Sequence, residues 1–354
     1  MQAEATTRPD DLRRRLAELR AAEPGLRARD AASRLGITEA ELVALSGRPL
    51  RADWGALFRR LPELGEVMVL TRNEWAVHEK TGRYEDVQVS DGPVGLVVGE
   101  AIDLRLFLTR WRHAYAVTET TKAGERHSIQ VFDRDGTAVH KVYLTNRSDR
   151  DAFARLVEAL HDSDVTGLPE VEPWPAAASP EPDAAIDVPG FVAAWDALED
   201  THDFHGLLRR FRVQRVQGLR LAGRERATPV AADSVRRVLT GAAETGLPIM
   251  VFVGNAGCIQ IHTGPVRKLV ETGPWYNVLD PGFNLHLRED AIATAWVVRK
   301  PTRDGTVTAL ELFDDAGRPI AALFGKRKPG EAEDLGWRRL VESLPTAGEV
   351  GACA

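Results

Sequence analysis

The chain reads as an α+β protein in which one helices-then-strands unit occurs twice. Three observations carry that reading. Leucines near the start recur with a helical period, a long stretch rich in β-formers and turn residues follows, and both textures return at a fixed offset.

The first helix is predicted over "DDLRRRLAELRAAEPG". Leu12, Leu16 and Leu19 fall on one face, Asp10 and Asp11 open it, and Pro24–Gly25 stop it. "RDAASRLGITEAELVALS" gives a short helix, a glycine turn and a second helix. A DNA-binding helix-turn-helix competes for this pair, but its would-be recognition helix, "TEAELVALS", is acidic. From Val67 the segment "EVMVLTRNEWAVHEKTGRYEDVQVSDGPVGLVVG" reads as strands of a meander. "DLRLFLTRW" alternates, which places Leu104, Leu106 and Leu108 on one face and Arg105, Phe107 and Trp111 on the other. "HSIQVFDRDGTAVHKVYL" is a hairpin turning at Asp133–Gly136, and "SDRDAFARLVEALHD" is a helix.

Residues 167–190 are rich in Pro, Ala and acids and read as an extended linker. Beyond them the pattern restarts. "FVAAWDALEDTHDFHGLLRRFRVQRVQGLRLAG" is helical, "LPIMVFVGNAGCIQIHTGPV" is strand-like, and "VTALELFDDAGRPIAALFGKRKPG" is a hairpin. "VFDRDG" and "LFDDAG" stand 181 residues apart, as do Leu104-Arg105-Leu106 and Leu285-His286-Leu287; "RNEWAVHEKTG" and "GNAGCIQIHTG" align at 182. The expected organisation is an N-terminal repeat over 1–166, the linker 167–190, and a C-terminal repeat over 191–354.

A net charge of −6 argues against a general nucleic-acid binder, because phosphate contacts need a basic face. The two cysteines, Cys258 and Cys353, form neither a disulfide framework nor a zinc constellation and suit a reducing cytosol. The charged start lacks the apolar core of a secretory signal, and no run approaches a membrane span.

His202 and His205 stand three apart behind an Asp200–Thr201 pair that would cap a helix, so both are expected in its first turn. That position favours the neutral ring, which can ligate a metal. Solvated surface histidines, half a metal site, and the ligand of a larger cofactor all fit the spacing. Zinc lacks HExxH, CxxC and a third ligand. A haem would need one axial ligand, apolar walls and cations for two propionates. Cations follow at Arg209, Arg210, Arg212 and Arg215, at Arg299–Lys300, and at Lys326–Lys328, the last also readable as a phosphate patch. No CxxCH occurs, so any haem is non-covalent. Arg105, mid-strand beside Phe107, faces either Asp103 or a ligand. His78 and His286 read as sheet histidines, and His113, His127 and His140 as structural or exposed ones. Rossmann, P-loop and Gly-x-Ser-x-Gly signatures are missing.

Several long blocks together resemble the bacterial haemin-transport or haemin-degrading factor family of the HemS/HmuS/ChuS type. They are "VMVLTRNEWAVHEKTGRYEDV", "SIQVFDRDGTAVHKVYL", "GLPIMVFVGNAGCIQIHTGPV", "GPWYNVLDPGFNLHLRED" and "AWVVRKPTRDGTVTALELFD". The likeness runs from about residue 10 to 345. It implies an α+β fold with internal duplication, each half a large antiparallel sheet flanked by helices, and a haem cleft between the halves. It further implies an axial histidine in a "THxF" segment, matched by His202, and an alternate ligand matched by His205. A distal arginine in an "LDLRFFL"-like strand is matched by Arg105, and the propionate cations correspond to Arg215, Lys300 and Arg327. At 321–324 this chain has "AALF", where some relatives carry a tyrosine of the pocket wall.

The function the resemblance implies is a cytoplasmic haem-binding protein of iron acquisition. It would hold haem b non-covalently, receive it from a haem ABC importer, and pass it to storage, a haem oxygenase or degradation. The alternative is a haem-degrading enzyme that opens the ring with electrons from a reductase or small reductant, since no flavin or nicotinamide fingerprint is present.

Overall fold

The computed structural model describes residues 9–90, 92–121, 124–176, 179–327 and 330–347; Cys353 and Lys328 lie outside these. The chain opens with three helices, α1 (Pro9–Ala22), α2 (Ala28–Leu35) and α3 (Glu39–Ala44). Strand β1 (Arg48–Leu50), helix α4 (Trp54–Arg60) and strands β2 (Gly65–Arg72), β3 (Ala76–Gly82), β4 (Val87–Gln88), β5 (Val94–Val98) and β6 (Asp103–Phe107) follow. Long strands β7 (His113–Thr121), β8 (Gly124–Phe132) and β9 (Ala138–Ser148) precede α5 (Arg150–Leu160). The second half begins with α6 (Val188–Asp196), α7 (Asp203–Arg210), α8 (Arg215–Leu221), β10 (Ala227–Val230) and α9 (Ser234–Thr245). It continues through β11 (Ile249–Gly254), β12 (Cys258–Gly264), β13 (Leu269–Thr272), β14 (Trp275–Asp280) and β15 (Phe283–Arg288). Strands β16 (Thr294–Thr302), β17 (Gly305–Phe313) and β18 (Pro319–Gly325) and helix α10 (Leu335–Glu342) complete it.

Local chemistry explains the element ends. Gly36 closes α2 in the left-handed conformation at φ 70°, where a β-carbon is penalised. Thr38 opens α3 with a full capping box, its hydroxyl accepting from the Glu41 N–H while Glu41 reaches back to the Thr38 N–H. Asp149 caps α5 through the Ala152 N–H at 2.8 Å.

The chain forms two compact units. Unit 1 comprises residues 1–71, 81–175 and 255–259, and unit 2 comprises 72–80, 176–254 and 260–354. Each unit therefore includes a short segment from the other half of the sequence. Unit 1 contains the antiparallel order β1-β7-β8-β9-β2 and a ladder β6-β5-β4. Unit 2 contains β10-β16-β17-β18-β11 and the ladder β3-β15-β14-β13. The same connectivity has been built twice. Even a bulge is copied: register slips between Val131 and Phe132 in one unit and between Leu312 and Phe313 in the other, 181 residues on.

Both central sheets are buried on two faces. In unit 2, Val235, Val238, Leu239, Trp337 and Val341 of α9 and α10 cover Ile249, Val251, Leu310, Leu312 and Leu323. Phe191, Trp195, Phe204 and Leu219 of α6–α8 cover Trp296, Val298 and Phe313 on the other side. In unit 1, α4 and α5 pack on Val67, Val69, Ile129 and Val142, and α3 packs on Tyr115, Val117 and Phe132. Leu104, Leu106 and Leu108 are buried as the alternation requires. Trp111 joins their core rather than the Arg105 face, because β6 ends at Phe107 and a 3-10 turn over Leu108–Arg110 rotates the chain.

The two copies differ in their buried polar groups. In unit 1 the His140 ring lies between the Thr71 hydroxyl (3.0 Å) and the Tyr84 hydroxyl (2.9 Å), and Thr71 also contacts the Cys258 sulfur at 3.4 Å. Burial drives His140 down to about 3 and Cys258 up to about 12. The equivalent positions of unit 2 are Val253, Val266, Ala321 and Ala76, all apolar and buried. Unit 2 instead buries His78 and His262. Gln260 lies 2.9 Å from the Nδ1 of His78, and Lys80 lies 3.3 Å from the Nδ1 of His262.

The described residues of the linker are tied down, and Asp183–Ala185 form a 3-10 turn. Leu168 packs against the helices of unit 1, the Glu172 N–H donates to the Arg134 carbonyl, and the Trp174 ring lies between the guanidinium groups of Arg110 (3.6 Å) and Arg134 (4.5 Å). In unit 2, Asp183 accepts from Gln217 and Arg220, and Asp187 caps α6. Among the described residues no helix is long and apolar enough to cross a membrane.

Candidate functional site

The histidine segment lies in unit 2, between α6 and α8. Helix α7 starts later than the sequence suggests, and His202 rather than the Asp200–Thr201 pair occupies the N-cap position. The reason is that the Asp200 carboxylate turns onto His202 itself. It accepts from the His202 backbone N–H at 2.8 Å and pairs with the ring Nδ1 at 2.6 Å. These bonds, the backbone one first, hold the Asp200 carboxyl below its usual range. In a neutral ring, donation of Nδ1–H to this carboxylate leaves the lone pair on Nε2. The His202 side chain is 83% exposed. A carboxylate fixing the tautomer of a histidine is the usual support of a metal-ligating imidazole.

Phe204 anchors the same turn. It is fully buried, with its ring edge-on to Trp195 at 4.7 Å. Two cations lie over it: the Lys300 ammonium at 4.2 Å and the Arg215 guanidinium at 5.2 Å from the ring centre. Both bond to one buried carboxylate, Glu311. Arg215 donates from Nε at 2.8 Å and from Nη2 at 2.7 Å, and Lys300 donates at 2.9 Å. Burial alone would raise the Glu311 carboxyl, but Arg215 and Lys300 outweigh it and bring it down to about 2. Lys300 is lowered, with burial as the main cause and Glu311 opposing it. Lys300 is 5% exposed and Arg215 30%, so Arg215 is the more exposed of the two cations.

Strand register extends this cluster into an apolar wall. Glu311 pairs with Trp296 on one side and Ala322 on the other, and Ala322 pairs with Phe252. The next row on that face runs Val298, Ala309, Phe324 and Met250. Phe252, Phe324 and Met250 are only half-buried, and the two phenyl rings meet at 4.9 Å. The 321–324 stretch, "AALF", contributes Ala322 and Phe324 to this all-apolar surface.

His205 lies on the exposed side of α7, three residues past His202. Partial desolvation, then Arg209 and Arg215, lowers its imidazole and favours the neutral ring. Arg327 is half-buried, 3.7 Å from Asp304, and its charge helps hold Asp200 ionised. His202, His205, Arg215, Lys300 and Arg327 therefore all belong to unit 2. Arg105 belongs to unit 1, where its Nη1 donates to the Asp103 carboxylate and to the Leu104 carbonyl at 3.2 Å. A groove of about 330 Å³ between α6 and α7, lined by Ala197, Glu199, Asp203 and Arg210, holds neither histidine. Among the described residues no cluster of three or more His, Cys, Asp or Glu could hold a metal ion. Metal binding here would rest on a single imidazole and a ligand that brings the rest of the coordination sphere.

Two residues of this arrangement escape a reading of the sequence. Asp200 looks like a cap, and its role depends on a side-chain turn of two residues. Glu311 hides in the strand "VTALELF", where its one signal is a lone carboxylate among apolar neighbours on both faces.

Comparison with known proteins agrees with the duplication. Residues 33–160 and 212–344 each match the family described as Haemin-degrading HemS.ChuX domain. The hemin transport protein HemS of Yersinia enterocolitica is 42% identical over 335 residues, covering 92% of this chain and 95% of that protein. The holo structure of PhuS, a heme-binding protein from Pseudomonas aeruginosa, superposes with a TM-score of 0.94 at 50% identity, over 96% of this chain and 99% of that one. ChuS, an E. coli heme oxygenase, superposes with a TM-score of 0.85 at 37% identity, over 94% and 99%. With two matching domains and this coverage, the chain belongs to the haemin-degrading HemS.ChuX domain family.

Proposed function

We propose that the protein binds haem in the cytoplasm and carries it from an importer to storage, delivery or breakdown. The observation that carries this reading is the Asp200–His202 pair, an exposed imidazole with its Nδ1 held by a carboxylate, in the same unit as Arg215, Lys300 and Arg327. His202 is the proximal ligand of haem b, held without covalent linkage, and His205 serves as an alternate ligand during transfer. Arg215 and Arg327 meet the propionates, with Lys300 supplying positive charge from behind. The holo-PhuS and HemS relatives support haem as the ligand. For Arg105 the support is its strand motif together with a guanidinium that is only partly covered, suited to hydrogen-bonding an oxygen species on the distal side.

Haemin titrated into the haem-free protein should give a sharp Soret band saturating near one equivalent. H202A should shift that spectrum and weaken binding, while H205A should mainly slow transfer to an added acceptor. A normal Soret titration in H202A refutes the ligand assignment. The second reading, ring opening with iron release, is favoured by the ChuS relative. It predicts loss of the Soret band and a linear tetrapyrrole when ascorbate is added with catalase present. Intact haem under those conditions leaves the carrier. R105A tests the distal role, with an altered ferric spectrum expected and no change in stoichiometry.

A further inference from the structure

Arg215 and Glu311 suggest how one carboxylate of the ligand is read. A guanidinium offers two edges for bidentate pairing with a carboxylate, Nε–Nη2 and Nη1–Nη2. In this protein the Nε–Nη2 edge is taken by Glu311 at 2.8 and 2.7 Å. The Nη1 side makes no bond to Glu311, and the side chain keeps 30% exposure. Alone, an arginine so paired would be neutralised and would have little attraction for a second carboxylate. Lys300 changes that balance. It is buried on the same Glu311 oxygen that Nη2 uses, so the group of three carries one net positive charge, and Arg215 is the more exposed of its two cations.

We propose that Glu311 is the positioning residue of the haem site: it fixes Arg215 so that a single guanidinium edge faces one propionate, while Lys300 offsets the charge of Glu311. The proposal rests on the haem-binding reading above. It also ties ligand recognition to the histidine segment, because Arg215 and Lys300 both lie over Phe204, which is buried between His202 and His205 in the chain. Glu311 touches no ligand in this scheme and acts through Arg215.

The test compares haemin with haemin dimethyl ester, which lacks the ionised propionates, on the full chain. E311Q keeps the shape and removes the charge. It should weaken haemin binding about tenfold, the cost of roughly one charge-assisted hydrogen bond. Binding of the diester should stay within about twofold, which also shows that the variant is folded. R215K keeps the charge without the fixed edge and should give the same pattern. The double variant R215K/E311Q should be no weaker than either single one, because both remove one arrangement. E311D should recover part of the loss and replaces E311Q in the cycle if that variant does not fold. Tighter haemin binding by E311Q would mean that Glu311 only neutralises Arg215, and the proposal fails. Equal losses for haemin and diester, or additive losses in the double variant, overturn it as well. A wild-type protein that binds neither porphyrin sinks the haem-binding reading itself.

Discussion

Acid should unfold this protein earlier than its carboxylates require, and the cause is three histidines buried without charge. His140 and His262 are brought down to about 3, and His78 is lowered well below its ordinary value, each chiefly by burial. Lys80 adds to the lowering at His78 and His262. In the unfolded chain each ring titrates near 6.5. Above that pH both states are neutral and no stability is at stake. Below it the unfolded chain takes up a proton at each ring and the folded chain does not, so stability falls as pH falls. The loss is about 1.4 kcal/mol per pH unit per ring, hence about 2 kcal/mol each at pH 5 for His140 and His262, with His78 acting in the same direction. Together that is a large fraction of the whole stability of an ordinary domain. Depressed carboxylates such as Glu311 act in the same direction, but only once pH drops below their unfolded value near 4.3. The interval between 6.5 and 4.5 therefore belongs to the histidines. Urea unfolding of the haem-free protein at half-unit steps should show a proton uptake that grows as pH falls from about 6.5 to about 5. H140Q should reduce it by about one proton, and if the units melt separately the lost proton should come from the transition of unit 1. An uptake below one proton, or no change in H140Q, refutes the assignment.

Other perturbations have defined outcomes. D200A removes the acceptor that orients His202 and should weaken haemin binding by about 10- to 100-fold in a Soret titration, with little effect on thermal stability. F204A empties a fully buried ring site and should cost about 3–5 kcal/mol in urea unfolding. Cys258, buried and raised to about 12, should resist iodoacetamide in the folded protein and react only after denaturation, as read by peptide mass spectrometry. W174A removes the ring shared by Arg110 and Arg134 and should speed protease cleavage of the linker at least several-fold, without changing the Soret titration.

Much of the fold can be read from sequence because its signals are local. Leucine spacing marks α1, the Asp-Gly turns mark the hairpins, and the shared "FD" turns give away the duplication. His202 rests on a different kind of signal, the match of its short "THDF" segment to the one the family resemblance implies. What is hidden depends on distant partners. Trp111 was expected on the Arg105 face, but that required the strand to continue past Phe107, and a 3-10 turn intervenes. Glu311 looks like a misplaced carboxylate until Arg215 and Lys300, 96 and 11 residues away in sequence, are seen on its two oxygens. The linker composition indicates an extended chain, but nothing in "VEPWP" says that its tryptophan will find two arginines.

The borrowed segment 255–259 has a consequence for how the protein is made. The Trp111 indole donates to the Gly257 carbonyl at 2.8 Å, Asn255 donates to the Val139 carbonyl, and Cys258 fills a place in the core of unit 1. On the ribosome, α5 emerges about 95 residues before those partners exist, a wait on the order of 5–20 s at ordinary elongation rates. During that interval the nascent unit keeps an open core slot and an unpaired indole N–H. Chaperone occupancy of ribosome-bound chains should therefore persist past the end of the first repeat and fall only after residue 259 has cleared the exit tunnel.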